Sequence, residues 1–243
     1  IQLDEPLADL ASLNVRYISQ LAKSQGIKVL LSGAGGDDIF TGYRRHFAIH
    51  MDSYLQKIPL KIRRNAQRLT SSLNTTNPLY RRVAKLFNGS SLCGDDRIVN
   101  FFRWADEKII HSLFTSEVRN ELDGVDAAMP MFDFLNTLPK ATSSLERMLS
   151  LEQQFFLPDH NLNYTDKMSM AAGVEVRVPF LDQDLVDFSA KIPINYKQRR
   201  NIGKWILKKT MEPHLPHKVI YRPKTGFGAP LRRWIKYELR ELL

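Results

Sequence analysis

The sequence predicts a mainly α-helical chain that carries a remnant of a parallel α/β unit, and three observations predict it. One apolar run, Ile27–Leu31, has the length and composition of a buried strand. Ser32-Gly33-Ala34-Gly35-Gly36-Asp37-Asp38 follows directly, after which Ile39, Phe40 and Tyr43 resume at helical spacing. From about Phe47 to Ser150 the pattern is helix after helix with short polar interruptions. One strand makes no sheet, so its partners are expected upstream of Ile1 and the chain is expected to be a piece of a longer protein.

Taken in order, Asp4-Glu5-Pro6 has the acids and proline of a helix start. Leu7, Leu10, Ala11, Ile18, Leu21 and Ala22 then mark an apolar stripe that ends near Gly26. After the Ile27–Leu31 strand, the glycines remove side chains where strand gives way to helix, so backbone N–H groups can approach a ligand. A helix N-terminus there favours an anion, and Asp37 with Asp38 suits a divalent cation, which together fit a Mg²⁺–polyphosphate. A plain strand–helix turn capped by Asp37 has the same spacing.

Pro59 opens a basic amphipathic segment through Leu73, and Pro78 opens another through Phe87. Asn74-Thr75-Thr76-Asn77 and Asn88-Gly89-Ser90-Ser91 are loops by composition. Asp95 or Asp96 caps a segment whose Ile98, Phe101, Phe102 and Trp104 follow helical spacing and read as core. Thr115-Ser116-Glu117 starts a further helix and Asp123-Gly124 closes it. Ser143–Leu157 is expected as a helix broken by Leu157-Pro158-Asp159-His160.

A polar cluster follows: Asn161, Asn163, Tyr164, Asp166 and Lys167. Val174, Val176 and Val178 then alternate with Glu175 and Arg177, which puts acid and guanidinium on one side of an extended segment. That pair is either an ordinary surface ion pair or the lining of a cleft. A short helix ends at Pro193, and Gly203–Met211 is a basic helix. In Tyr221–Pro230, glycines on both sides of Phe227 permit movement, so Lys224 can reach a phosphate as a point charge. Leu231–Leu243 reads as a final surface helix.

Composition bounds the function. Thirty-five Lys and Arg against 26 Asp and Glu give a formal charge of +9, and 43% of residues are hydrophobic. A chain of this size buries a substantial core. No apolar segment approaches the roughly 20 residues that cross a bilayer, and no secretory pattern opens the sequence; no membrane partner is expected. Cys93 is the single cysteine, which excludes an intramolecular disulfide and fits a reducing compartment, so a cytoplasmic location is expected. Basic residues concentrate in Lys57–Lys85, Lys197–Lys209 and Lys218–Arg240. These suit nucleic acid, an anionic surface or a polyanionic substrate, although a solvated helix face is the plainer account. No zinc-finger, RNP or basic-zipper pattern accompanies them, so nucleic acid is not the expected partner. His46 and His50 are four apart but lack the glutamate of a zinc-protease pair.

Three stretches in this order resemble the synthetase domain of glutamine-dependent asparagine synthetases. They are Ser32–Asp38 with Tyr43, then Asp166-Lys167-Met168-Ser169 leading to Val174-Glu175-Val176-Arg177-Val178-Pro179-Phe180-Leu181-Asp182, and finally Arg222–Gly228. The middle stretch is the most specific, and the resemblance is weak between Phe47 and Leu145. It implies the C-terminal portion of an adenine-nucleotide alpha-hydrolase-like (PP-loop ATPase) synthetase domain. Residues 1–50 would end the nucleotide-binding core, 51–145 form a helical scaffold, and 146–243 carry the substrate-pocket segment and the lysine loop.

The resemblance further implies an ATP-dependent ligase that adenylates the aspartate side chain, releases pyrophosphate and lets ammonia attack. The ammonia would come from glutamine through an upstream glutaminase domain. Carried over, Ser32, Gly33, Gly35 and Gly36 bind ATP, and Asp37 with Asp38 holds Mg²⁺. Lys224 neutralises charge as pyrophosphate leaves, and Glu175 with Arg177 stands at the amino-acid pocket, Glu175 as a catalytic carboxylate. Two departures qualify this. Ala34 stands where the family commonly has glutamate, and neither the Ser-Gly-Gly-x-Asp-Ser loop nor the glutaminase cysteine occurs in the sequence. The chain alone is therefore expected not to run the full reaction. The alternatives are a ligase amidating or cyclising a different carboxylate, and a non-enzymatic basic helical module that binds nucleic acid or protein.

Overall fold

The computed structural model describes residues 3, 7, 9–73, 77–105, 107–223, 226–227 and 230–242. The expected helix start at Asp4-Glu5-Pro6, most of the Asn74–Asn77 loop, and Lys224 lie outside the described residues. The chain forms two compact units: one of Ile1–Phe40, Glu152–Lys197 and Lys204–Leu243, the other of Thr41–Leu151 and Gln198–Gly203.

In the first unit, α1 (Ala11–Ser24) buries Ala11, Ser12, Ser19 and Ala22 and packs on a later helix, Asn163–Met170. Gly26, at φ +75°, turns the chain out of α1 into β1 (Val29–Leu31). β1 pairs in parallel with β2 (Glu175–Arg177), with Val29 opposite Glu175, Leu30 opposite Val176 and Leu31 opposite Arg177. The expectation of one strand whose partners all lie upstream is thus corrected: a partner lies far downstream in the same chain. The valine alternation is as read, with Val174 fully buried, Val176 half-buried, and Glu175 and Arg177 exposed.

The second unit is helical. α2 (Gly36–Phe40) ends the first segment of unit one, and α3 (Arg44–Leu55), α4 (Leu60–Ser71), α5 (Pro78–Phe87) and α6 (Gly94–Asn100) open unit two. After the short α7 (Glu107–Ser112) and α8 (Ser116–Glu121) come α9 (Met129–Thr137) and α10 (Ser144–Leu151). α10 packs on α3, α6 and α9 around Ile49, Ile98, Val99, Leu135, Met148 and Leu149. Arg97 is buried among them: its Nε donates to Asp52 Oδ1 at 3.2 Å, and its guanidinium lies 4.5 Å from the Phe101 ring centre. Phe101 and Phe102 are half-buried, whereas Trp104 is exposed and does not join the core its spacing suggested.

Pro158 does not break the helix. The chain continues from α10 through a π-helix, Glu152–Leu162, into α11 (Asn163–Met170). Pro158 lacks the N–H donor in either winding, and the helix continues past it in the wider i→i+5 form. β2 leads into a 3₁₀ turn, Pro179–Leu181, then α12 (Gln183–Lys191), where Asp182 Oδ1 accepts the N–H groups of Asp184 and Leu185. α13 (Ile194–Lys197) packs on α14 (Trp205–Met211), and α15 (His217–Ile220) follows. α16 covers only Leu231–Lys236, shorter than the expected run to Leu243. No helix among the described residues is long and apolar enough to cross a membrane.

Candidate functional site

The first and second sequence motifs meet at the carboxyl ends of β1 and β2. The ladder runs one bond past the strands, with Ser32 N–H donating to Arg177 O at 2.8 Å. Ser32 Oγ then folds back and accepts the Ala34 N–H at 3.1 Å. Gly36 N–H bonds to Gly33 O, and Asp38 and Ile39 N–H both bond to Gly35 O, which starts α2. In open α/β sheets this edge is where ligands bind.

The three glycines do different things. A Cβ on Gly33 would meet nothing within 4 Å, so this position faces open space as a close ligand approach requires. Gly35 has φ +86°, and a Cβ there would lie 2.3 Å from Leu181 Cδ2. A Cβ on Gly36 would come within 3.3 Å of the Phe180 ring. Both residues are buried. Gly35 and Gly36 are therefore small because the Pro179–Leu181 turn packs against them, a reason that ligand approach alone does not supply.

Asp37 is half-buried on α2, and its Oδ1 takes the Nζ of Lys204 at 2.6 Å. Lys204 caps α14 with a left-handed backbone, φ +53°, and its N–H donates to Phe40 O at 2.9 Å. That conformation costs a side-chain-bearing residue roughly 1–2 kcal/mol. The Lys208 ammonium, one turn on, is held below the usual lysine value by burial and by the Lys204 charge, with Asp37 opposing. A helix of five residues carries little dipole, so the positive character beside the turn comes chiefly from these two lysines. Neither was singled out from the sequence. The available signal was a cation at the first turn of a helix, where the dipole disfavours it.

Behind the turn, Asp38 is buried at 1% exposure. Burial, with the charges of Asp9 and then Asp38 adding to it, pushes the Tyr164 hydroxyl up to about 12. Asp9 Oδ2 lies 3.1 Å from His160 Nε2, and this bond holds the Asp9 carboxyl below its usual range. The His160 ring stacks on Phe156 at 5.0 Å between centres and meets Tyr164 edge-on. The π-helix packs on α2 and α11, which is how these side chains reach the back of the turn.

The structure thus brings Ser32, Gly33, Gly35, Gly36, Asp37 and Asp38 into one turn, with Lys204 beside it. Glu175 stands on the neighbouring strand, exposed, its Oε1 accepting Arg177 Nε at 2.8 Å. That bond pulls the Glu175 carboxyl down. Among the described residues no group of three or more His, Cys, Asp or Glu gathers as a ready metal site. In the second unit His46 Nδ1 accepts the Tyr43 N–H at 3.3 Å.

Comparison with known proteins identifies the family. The family model for asparagine synthase matches residues 2–243. A putative glutamine-hydrolysing asparagine synthetase of Mycobacterium tuberculosis is 30% identical over 242 residues, covering 96% of this chain and 34% of that protein. Asparagine synthetase 1 of Bacillus subtilis, glutamine-hydrolysing, is 29% identical over 238 residues, covering 98% and 36% respectively. Amidase chry2 of Gibberella zeae is 21% identical over 247 residues, covering 94% and 36%. The chain spans about a third of the length of the curated relatives it matches. No solved structure gives a significant match. By the motifs it joins and by a family match over almost its whole length, this chain belongs to the asparagine synthase family.

Proposed function

We propose that the chain is part of an ATP-dependent amide-forming ligase, which adenylates the side-chain carboxylate of aspartate and transfers ammonia derived from glutamine to it. The products would be asparagine, AMP and pyrophosphate. The observation that carries this reading is Asp37, held 2.6 Å from Lys204 at the carboxyl edge of two parallel strands. An acid and a fixed cation beside an open glycine suit a polyphosphate better than a neutral ligand.

Gly33 leaves the backbone open to the phosphates, and Ser32 fixes the turn through the Ala34 N–H. Asp37 fits a magnesium site: its Oδ1 already holds a cation, and Mg²⁺ is commonly bound by one or two carboxylates together with substrate phosphates. When bound, the metal neutralises phosphate charge. Lys204 and Lys208 place positive charge where leaving pyrophosphate would develop negative charge, and Lys224, by the family resemblance, would add a third cation. Asp38, the second carboxylate expected on the metal, is buried, which leaves Asp37 the more accessible of the two. Glu175 and Arg177 present a paired acid and guanidinium beside the turn for the amino-acid substrate. The glutaminase activity would belong to an upstream part of a longer chain.

Ala34 favours a second reading, a ligase of the same family acting on another carboxylate, because a methyl can neither bind a substrate amine nor handle a proton. The relative named as an amidase is in keeping with it. AMP release by the complete protein, screened over aspartate and other carboxylic acids, separates the two. Release with aspartate alone supports the first; release with another acid and none with aspartate replaces it by the second.

A further inference from the structure

Residues 53–94 hold eight Lys and Arg and no Asp or Glu, in a chain whose other parts carry 26 acids. Within this stretch α4 and α5 pack on each other. An ordinary solvated helix intersperses acids among its cations for i,i+4 support; none occurs here. On α4, Lys61, Arg64 and Arg68 fall at i, i+3 and i+7 and all are exposed, one cationic stripe. Arg63 turns inward instead, its guanidinium donating to Ile58 O at 3.0 Å and Ser90 O at 2.7 Å.

Beside that stripe stand Ile62 and Leu69, also seven apart, 57% and 71% exposed. On α5, Leu79 is 61% exposed and Tyr80 is 43% exposed. Large aliphatic side chains left in water next to unopposed cations have a physical use on one kind of surface. Phosphates of nucleic acid would take the cations but give Ile62 and Leu69 nothing to bury against. An anionic bilayer takes both, the cations at the headgroups and the aliphatic tips among the acyl chains.

We infer that the packed pair α4 and α5 docks the protein peripherally on anionic lipid headgroups. Lys61, Arg64 and Arg68 supply the charge, and Ile62, Leu69 and Leu79 insert at the headgroup–acyl boundary. This departs from the sequence-level expectation of no membrane partner, and it requires no spanning helix. Tyr80 joins them at the depth that tyrosine prefers in a membrane interface.

The test is co-sedimentation of the 243-residue chain with vesicles of phosphatidylcholine plus phosphatidylglycerol, against vesicles of phosphatidylcholine alone and against a short DNA duplex. Binding to the anionic vesicles that weakens with salt is expected, with little to the neutral ones. Each cation near such a surface contributes roughly fivefold, so Lys61→Gln with Arg64→Gln and Arg68→Gln should lower partitioning on the order of a hundredfold. Ile62→Ser with Leu69→Ser should lower it at least about tenfold and leave any DNA binding unchanged. All five side chains are exposed, and circular dichroism checks that the variants fold. Equal partitioning to both vesicle types, no binding at all, or vesicle binding indifferent to the serine pair would overturn the inference. DNA binding tighter than vesicle binding would replace the lipid surface by nucleic acid.

Discussion

Alanine at position 35 would place a methyl 2.3 Å from Leu181 Cδ2 and 2.7 Å from its Cγ, on a backbone at φ +86°. The left-handed conformation alone costs an alanine roughly 1–2 kcal/mol. Forcing a methyl into a packed contact typically adds about 1–3 kcal/mol. Gly35→Ala should therefore lose about 2–5 kcal/mol of unfolding free energy, read by denaturant titration of the chain. Leu181→Ala removes the atoms that the new methyl meets. In the double variant the packing part should be recovered while the backbone part remains, a relieving coupling of about 1–3 kcal/mol in a double-mutant cycle. Stability of Gly35→Ala within about 0.5 kcal/mol of the parent would refute the packing role of Gly35. So would strictly additive losses in the cycle. Either result would return the glycine to a purely ligand-facing reason.

Three other perturbations probe different parts of the molecule. Lys204→Met should lower kcat/KM for ATP in the complete enzyme by at least about tenfold, with little change in thermal melting, because both partners of the Asp37 pair are partly exposed. Arg97→Met strands the Asp52 carboxylate and should cost about 3–5 kcal/mol in guanidinium melts, since the Arg97 side chain is 0% exposed; Asp52→Asn in the same chain should restore part of it. Asp9, whose carboxyl is depressed by its bond to His160, contributes stability that is present above the ordinary carboxylate value near 3.9 and lost as pH falls through its lower folded value. Stability measured from pH 6 down to roughly pH 3 should accordingly drop less in His160→Phe than in the parent.

Local pattern carried much of the architecture. Ile27–Leu31 could be read as a strand because four apolar residues in a run of five precede a glycine turn, and Val174, Val176 and Val178 showed their inward face by alternation alone. The pairing of those two segments could not be read. Register between strands separated by a run of helices is set by tertiary packing, and nothing in either strand names its partner. Pro158 misled for a related reason: the rule that proline ends a helix is drawn from regular α-helices, and here the chain winds as a π-helix instead.

The turn itself was legible as a seat of chemistry only in part. Gly33, Asp37 and the helix after them follow from composition, but the burial of Gly35 and Gly36 depends on Phe180 and Leu181, which lie far along the chain. Lys204 stayed hidden among the cations of a basic helix, because distance from Asp37 is invisible in sequence. Its misplaced charge at a helix start was the one local clue. The Asp9, His160 and Tyr164 cluster gave no such clue, being assembled from a loop, a π-helix and α11.

ATP–pyrophosphate exchange by the complete protein, with and without Asp37→Asn, tests the central claim most directly. Exchange that depends on the carboxylate substrate and disappears in Asp37→Asn, with melting unchanged, is the result expected if this turn holds the nucleotide phosphates. Full exchange in the folded Asp37→Asn protein would contradict it and move the phosphate site away from Ser32–Asp38.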